Sequence, residues 1–194
     1  MSVGINLSEL GLGCASLGNL YRAITDQQAE ETVDAAWSVG LRYFDTAPFY
    51  GLGLSERRLG DALRKRNRAE FVISTKVGRL LEPDRSPNFD AVRHGFATPM
   101  PFKVRYDYSY DGIMTSYESS LHRLGLARID ILLVHDIGRV THGDENVRHF
   151  ADLESSGYRA LEELRSTGDI SGFGLGVNEW EVCAEAMQFG QFDY

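Results

Sequence analysis

A chain of 194 residues with 43% hydrophobic and 25% charged side chains has the make-up of one globular domain and is thin for two. Its formal net charge of -8 argues against a nucleic-acid partner, which requires a basic footprint. No apolar run approaches the ~18–20 residues of a membrane helix, so no membrane partner is expected.

Short apolar runs alternate with longer amphipathic ones, the pattern of repeated strand–helix units around a parallel sheet. The first strand is predicted at residues 9–14, followed by a glycine-containing loop through Tyr21. Thr25 or Asp26 caps a helix running to about Val39, with Ala29, Val33, Ala36 and Trp37 on one stripe and Gly40 ending it. A second strand covers residues 42–45, and Pro48 forbids its continuation. Residues 55–65 form the second helix, with Leu59, Ala62 and Leu63 inward and a basic last turn suited to the dipole. The third strand is residues 71–76. Residues 77–107, with Pro83, Pro87, Pro99 and Pro101, are expected to be a long structureless connection of the functional kind.

The third helix spans about residues 110–124 and stops at Gly125. The aliphatic text at 129–135 suits a strand buried on both faces. Residues 138–151 read as a solvated polar insertion before a fourth helix at 156–166, capped by Gly168. A fifth strand at 173–178, a fifth helix at 179–188 and the start of a sixth strand at 192–194 complete the chain. Five units and part of a sixth fall short of a closed eight-stranded barrel, which typically takes ~250 residues. The expectation is therefore one barrel domain, 1–194, whose C-terminal part is missing, so that these residues alone bind a cofactor poorly.

Three consecutive predicted strands end in an ionisable group. Asp45 closes LRYFD, Lys76 closes FVISTK and His135 closes IDILLVH, while Tyr50 lies one short turn past the first. Polar residues at the C-terminal ends of parallel barrel strands are expected to do chemistry. A phenol, with a pKa of ~10, works poorly as an acid at neutral pH unless a cation favours its phenolate, and Lys76 is the expected cation. Asp45 would hold that ammonium, and His135 would orient a substrate oxygen. Singly, Tyr50 reads as a loop aromatic and Asp45 as a turn cap; their joint placement favours a site. A Schiff-base role for Lys76 is the alternative, though it has no need of Asp45 and Tyr50.

His135, His142 and His149, with Asp136, Asp144 and Glu145, raise the further alternative of a metal-dependent barrel hydrolase. Most of these fall in one charged loop rather than on several strand ends, so a solvated insert is preferred and no metal ligand is assigned. No partner is evident for His94 or His122. Neither Gly11 and Gly13, followed by Ser16, nor Gly172 and Gly174, followed by Val177, completes the GxGxxG of a Rossmann domain. Cys14 and Cys183 lack metal or redox spacing and read as core thiols in a reducing cytoplasm. The N-terminus has no signal-peptide pattern, and a cytoplasmic location is expected.

DTAPFYGLGLSERRLGDALR, STKVG, LLVHD and GVN together resemble the aldo-keto reductase superfamily, from about Leu10 to Tyr194. GLGCASLGNLYR and the long inserts are similar to its bacterial sugar and pyridoxal dehydrogenase branch, L-fucose and D-threo-aldose 1-dehydrogenases included. The resemblance implies a (β/α)8 barrel of the TIM type, an α/β fold, that binds NAD or NADP and transfers hydride at a carbonyl, alcohol or sugar hemiacetal carbon. It implies Asp45, Tyr50, Lys76 and His135 as the catalytic tetrad, with Tyr50 the proton donor. Asn178 is the implied carboxamide ligand, with Glu179 departing from the usual pattern, and Asp45, Gly13 and Cys14 are expected beside the cofactor. His135, Phe49 and Trp180 are the expected substrate contacts. The adenosine-binding segments implied by the resemblance lie beyond Tyr194, and a fragment unable to use its site is kept as an alternative.

Overall fold

The computed structural model describes residues 5, 7–85, 88 and 92–194. Part of the N-terminal stretch and part of the proline-rich connection, Pro87 included, fall outside them.

Five strands form one parallel sheet in the order β1, β2, β3, β6, β7. They are β1 (Leu12–Gly13), β2 (Tyr43–Asp45), β3 (Val72–Val77), β6 (Ile131–His135) and β7 (Gly172–Gly176); all overlap the predicted strands, with β1, β2 and β6 shorter, β3 shifted by one residue and β7 starting one residue earlier and ending two earlier. The helices between them are α1 (Asp26–Ser38), α2 (Leu54–Leu63), α3 (Tyr110–Leu124), α6 (Tyr158–Thr167) and α7 (Trp180–Ala186). Thr25 starts α1 through a capping box: its hydroxyl accepts from the Gln28 N–H and the Gln28 side chain accepts from the Thr25 N–H. Ala29, Val33 and Ala36 bury one face of α1, as their spacing predicts. Trp37 is held between the Arg42 and Arg66 guanidinium groups, 3.8 and 4.3 Å from its ring centroid. Gly125 closes α3 in the left-handed conformation.

One core joins these helices to the sheet, through Val33, Phe44, Leu59, Ile73, Ile113, Leu132 and Phe173 among others. No strand is assigned at 192–194, yet the Asp193 N–H donates to the Phe173 carbonyl (2.9 Å) and the Leu175 N–H to that of Tyr194 (3.2 Å), so this stretch already lies along β7.

Two expectations are corrected. The connection from 77 to 107 is not structureless: β4 (Arg79–Pro83) and β5 (Phe102–Tyr106) pair as an antiparallel hairpin from Arg79 opposite Tyr106 to Pro83 opposite Phe102. The insertion at 138–151 is not a solvated loop. It forms α4 (Arg139–His142) and α5 (Asn146–Asp152), which runs through a π turn (Leu153–Gly157) into α6. Phe150 and Leu153 reach the core, and the His142 and His149 rings, tilted to each other with centroids 4.3 Å apart, meet Tyr106 and Tyr108 edge-on.

Candidate active site

Parallel pairing aligns the ends of β2, β3, β6 and β7. Asp45 lies opposite Ser74, Lys76 opposite Leu133 and His135 opposite Gly176. Side chains alternate along β3, so Ser74 and Lys76 share one face while Thr75 points to the other, where it donates to Glu56 (2.7 Å). Lys76 is 6% exposed, with its Nζ donating to Asp45 Oδ2 (2.7 Å) and the Thr46 carbonyl (3.0 Å). Its stem lies on Gly176, where an added Cβ would stand 3.1 Å from Cε. The Nζ is 5.0 Å from the Tyr50 ring centroid. Burial alone would lower the lysine's pKa, but Asp45 and then Tyr50 more than offset it, and the value is raised above the ordinary lysine range.

Tyr50 is set by a tight turn. Gly51 has φ +64, and an added Cβ would stand 2.4 Å from the Gly18 carbonyl oxygen, so the turn packs directly on the first loop. The Tyr50 ring is 5.9 Å from that of His135 and nearly perpendicular to it. His135 is 4% exposed, and its backbone carbonyl accepts from the Tyr108 hydroxyl (2.8 Å). Burial first, then the Arg79 and Lys76 charges, pushes its pKa well below the usual histidine value. At neutral pH the ring is therefore uncharged, with one N–H to give. Its Nδ1 is buried with no partner among the described residues.

Asp45, Tyr50, Lys76 and His135 thus line one cavity of about 670 Å³, with Phe49 and Asn178 also in its wall. Three other predicted contacts lie elsewhere. Trp180 is 74% exposed at the start of α7 and outside the cavity wall. Cys14 is fully buried in the core, and its N–H braces the Asp45 carbonyl (2.8 Å). Gly13, paired with Asp45 across the sheet, is also outside the wall and has open space where a Cβ would stand. Cys183 is half-buried. His142 Nε2 donates to the Tyr108 hydroxyl (2.9 Å), whose one proton goes to the His135 carbonyl, and among the described residues no three of His, Cys, Asp or Glu are placed to share a metal ion. Glu179, the departure from pattern, accepts from the Val140 N–H (3.1 Å) in the first turn of α4 and is thereby committed to the insert.

Sequence reasoning missed Arg79, which stands 4.3 Å over the Phe49 ring and pairs with Asp136 at 2.7 Å while 4% exposed. Its place just past a strand end is the same signal that marked the tetrad. Asp136 in turn accepts from the Asn178 amide (3.2 Å). His94, for which no partner was evident, lines the cavity 5.3 Å from Phe49, on a connection that no local pattern places there. Among the described residues, six non-glycine residues have positive φ (Asn19, Tyr21, Leu52, His94, Thr98 and Asp136), and Tyr21, His94 and Asp136 of these line the cavity. Such conformations gather at binding sites, where the surrounding structure over-determines them.

A model of the aldo/keto reductase family matches residues 9–193. The chain is 45% identical to pyridoxal 4-dehydrogenase of Microbacterium luteolum, the match covering 98% of this chain and 58% of that protein. It is 40% identical to D-threo-aldose 1-dehydrogenase of a Pseudomonas species, covering 99% of this chain and 56% of the relative. The holo form of an aldo-keto reductase from Bacillus halodurans superposes with a TM-score of 0.71 at 27% identity, over 97% of this chain and 52% of that one. The chain therefore spans about half the length of the curated relatives it matches, and its sheet is part of a (β/α)8 barrel.

Proposed function

We propose that this chain, which belongs to the aldo/keto reductase family, carries the proton-transfer centre of an NAD(P)-dependent oxidoreductase acting on a small aldehyde, alcohol or sugar hemiacetal. One observation carries the reading: a phenol, a buried ammonium paired with a carboxylate, and an uncharged imidazole converge on a single cavity.

In carbonyl reduction, Tyr50 gives its hydroxyl proton to the substrate oxygen; in oxidation it takes the proton back. The Lys76 ammonium stabilises the negative charge that the phenol oxygen then carries, and Asp45 keeps that ammonium charged and in place. The same charge argues against a Schiff-base role, since a protonated amine has no lone pair with which to attack. His135, neutral and rigidly placed, offers an N–H to the substrate oxygen and polarises it without competing for the proton.

A nicotinamide cofactor, NAD or NADP, supplies the hydride chemistry that no side chain here provides. Asn178 suits its carboxamide: one side-chain N–H goes to Asp136, while the second N–H and the side-chain oxygen remain as donor and acceptor. Asp45 borders the same cavity. The names of the two curated dehydrogenases support aldoses and pyridoxal as the first substrates to try. The test is turnover of the native gene product, read as NAD(P)H absorbance with such a panel. Tyr50→Phe is expected to lower kcat by about 10²- to 10⁴-fold with cofactor binding intact; normal turnover by that variant would refute the assignment.

A further inference from the structure

We infer that Ser74 and Tyr43 are positioning residues which lock the Asp45 carboxylate and, through it, the Lys76 ammonium. The inference rests on the proton-transfer reading above. Ser74 is completely buried, and its Oγ donates to Asp45 Oδ1 at 2.6 Å. The Tyr43 hydroxyl lies 3.0 Å from the same Oγ. An ionised carboxylate only accepts hydrogen bonds, so the single Ser74 proton is committed to Asp45 and the Tyr43 hydroxyl must be the donor to Ser74. The direction is therefore fixed, from Tyr43 to Ser74 to Asp45, with the other Asp45 oxygen meeting Lys76 at 2.7 Å. Burial, with the Asp45 charge, raises the Tyr43 pKa, which keeps the phenol in the donor form.

The device has a purpose because the Asp45 side chain is 27% exposed. A carboxylate with that access to water, held on one oxygen only, is free to swing away from the lysine. Tethering the second oxygen removes that freedom. The groups facing the ammonium are Asp45 and Tyr43 of β2, Tyr50 beyond it, the Cys14 thiol after β1 and the His135 ring of β6. Of these, Asp45 alone brings a fixed negative charge at neutral pH, so its position governs the lysine.

The test compares Ser74→Ala, Ser74→Thr and Tyr43→Phe in the full gene product, with two readouts. The first is the pH profile of kcat and KM; the second is the alkaline NMR titration of the Lys76 side chain, which needs neither substrate nor cofactor. Ser74→Ala is expected to lower kcat about tenfold with KM unchanged, and to move the alkaline limb and the Lys76 midpoint down together by about half a unit or more. Tyr43→Phe should shift both the same way by less, and Ser74→Thr, which restores the hydroxyl, should return both. An unmoved Lys76 midpoint in a folded Ser74→Ala protein overturns the inference, as does failure of Ser74→Thr to rescue it. A wild-type protein without turnover would sink the proposed function instead, leaving the titration to decide on the positioning role.

Discussion

Arg79 shows how one side chain connects the hairpin to the site. It is buried between Phe49 and Tyr106, pairs with Asp136, and is the second cause, after burial, of the low His135 pKa. Arg79→Met keeps most of the stem volume and removes the charge. Asp136, whose Oδ2 is 3.4 Å from His135 Nε2, then becomes the nearest charge to the ring, so the His135 pKa should rise. The acid limb of kcat/KM is expected to move to higher pH, and stability to fall by less than the roughly 3–5 kcal/mol of a fully buried broken pair, because Asp136 keeps its Asn178 bond and some access to water. Denaturant titration and the pH–rate profile check the two parts. The tetrad was legible at this scale because Asp45, Lys76 and His135 each lie at the end of a strand and Tyr50 follows one by a short turn, where a barrel puts its chemistry. Arg79 sits one residue past Gly78 on a strand that the prolines disguised, and His94 reaches the cavity only because a long connection folds back. Ser74 was hidden differently: inside a run of strand residues, a serine reads as filler until its neighbour across the sheet is known to be Asp45.

At the scale of elements, the helices and parallel strands followed from periodicity and caps, whereas both inserts were misread. The β4–β5 pairing joins strands separated by Pro87, Pro99 and Pro101, with Pro83 itself ending β4, and such long-range pairing leaves no local period. The α4–α5 insert has an apolar pattern broken by Val140 and Val147, which are 79% and 62% exposed, while Phe150 and Leu153 carry the burial. Its docking predicts an acid weakness. Burial first, then His149 and Arg79, lowers the His142 pKa to about 4, and burial lowers that of His149. Unfolded histidines titrate near ~6.5, so below that pH the unfolded chain binds more protons than the folded one. The stabilisation is present above about pH 6.5 and lost as pH falls toward about 4. The histidine pair is partly open to water, so the loss is about 1–2 kcal/mol rather than the unscreened value. His142→Gln should flatten the decline in thermal stability across that window, and an unchanged slope would show that the histidine pair does not control it.

For the molecule as a whole, the decisive feature is the face of the sheet that carries the cavity. Parallel strands are ordinarily covered on both faces. Here the helices and core bury one side, while Tyr43, Leu133, Leu175 and Val177 on the cavity side remain half-buried. Half-exposed aliphatic and aromatic groups on one surface favour association, and the formal charge of -8 opposes it. The balance should respond to ionic strength, because salt shortens the reach of that repulsion from about 30 Å at 0.01 M to about 8 Å at 0.15 M. A polypeptide of these 194 residues is therefore expected to self-associate with rising concentration, and more so in the higher salt. Sedimentation velocity at both ionic strengths measures this directly. If Leu133→Gln and Leu175→Gln together abolish association while the far-UV signal is retained, the cavity face is the surface responsible; association that persists in that double variant would place the contact elsewhere, with the short outer strand β1 the next surface to test.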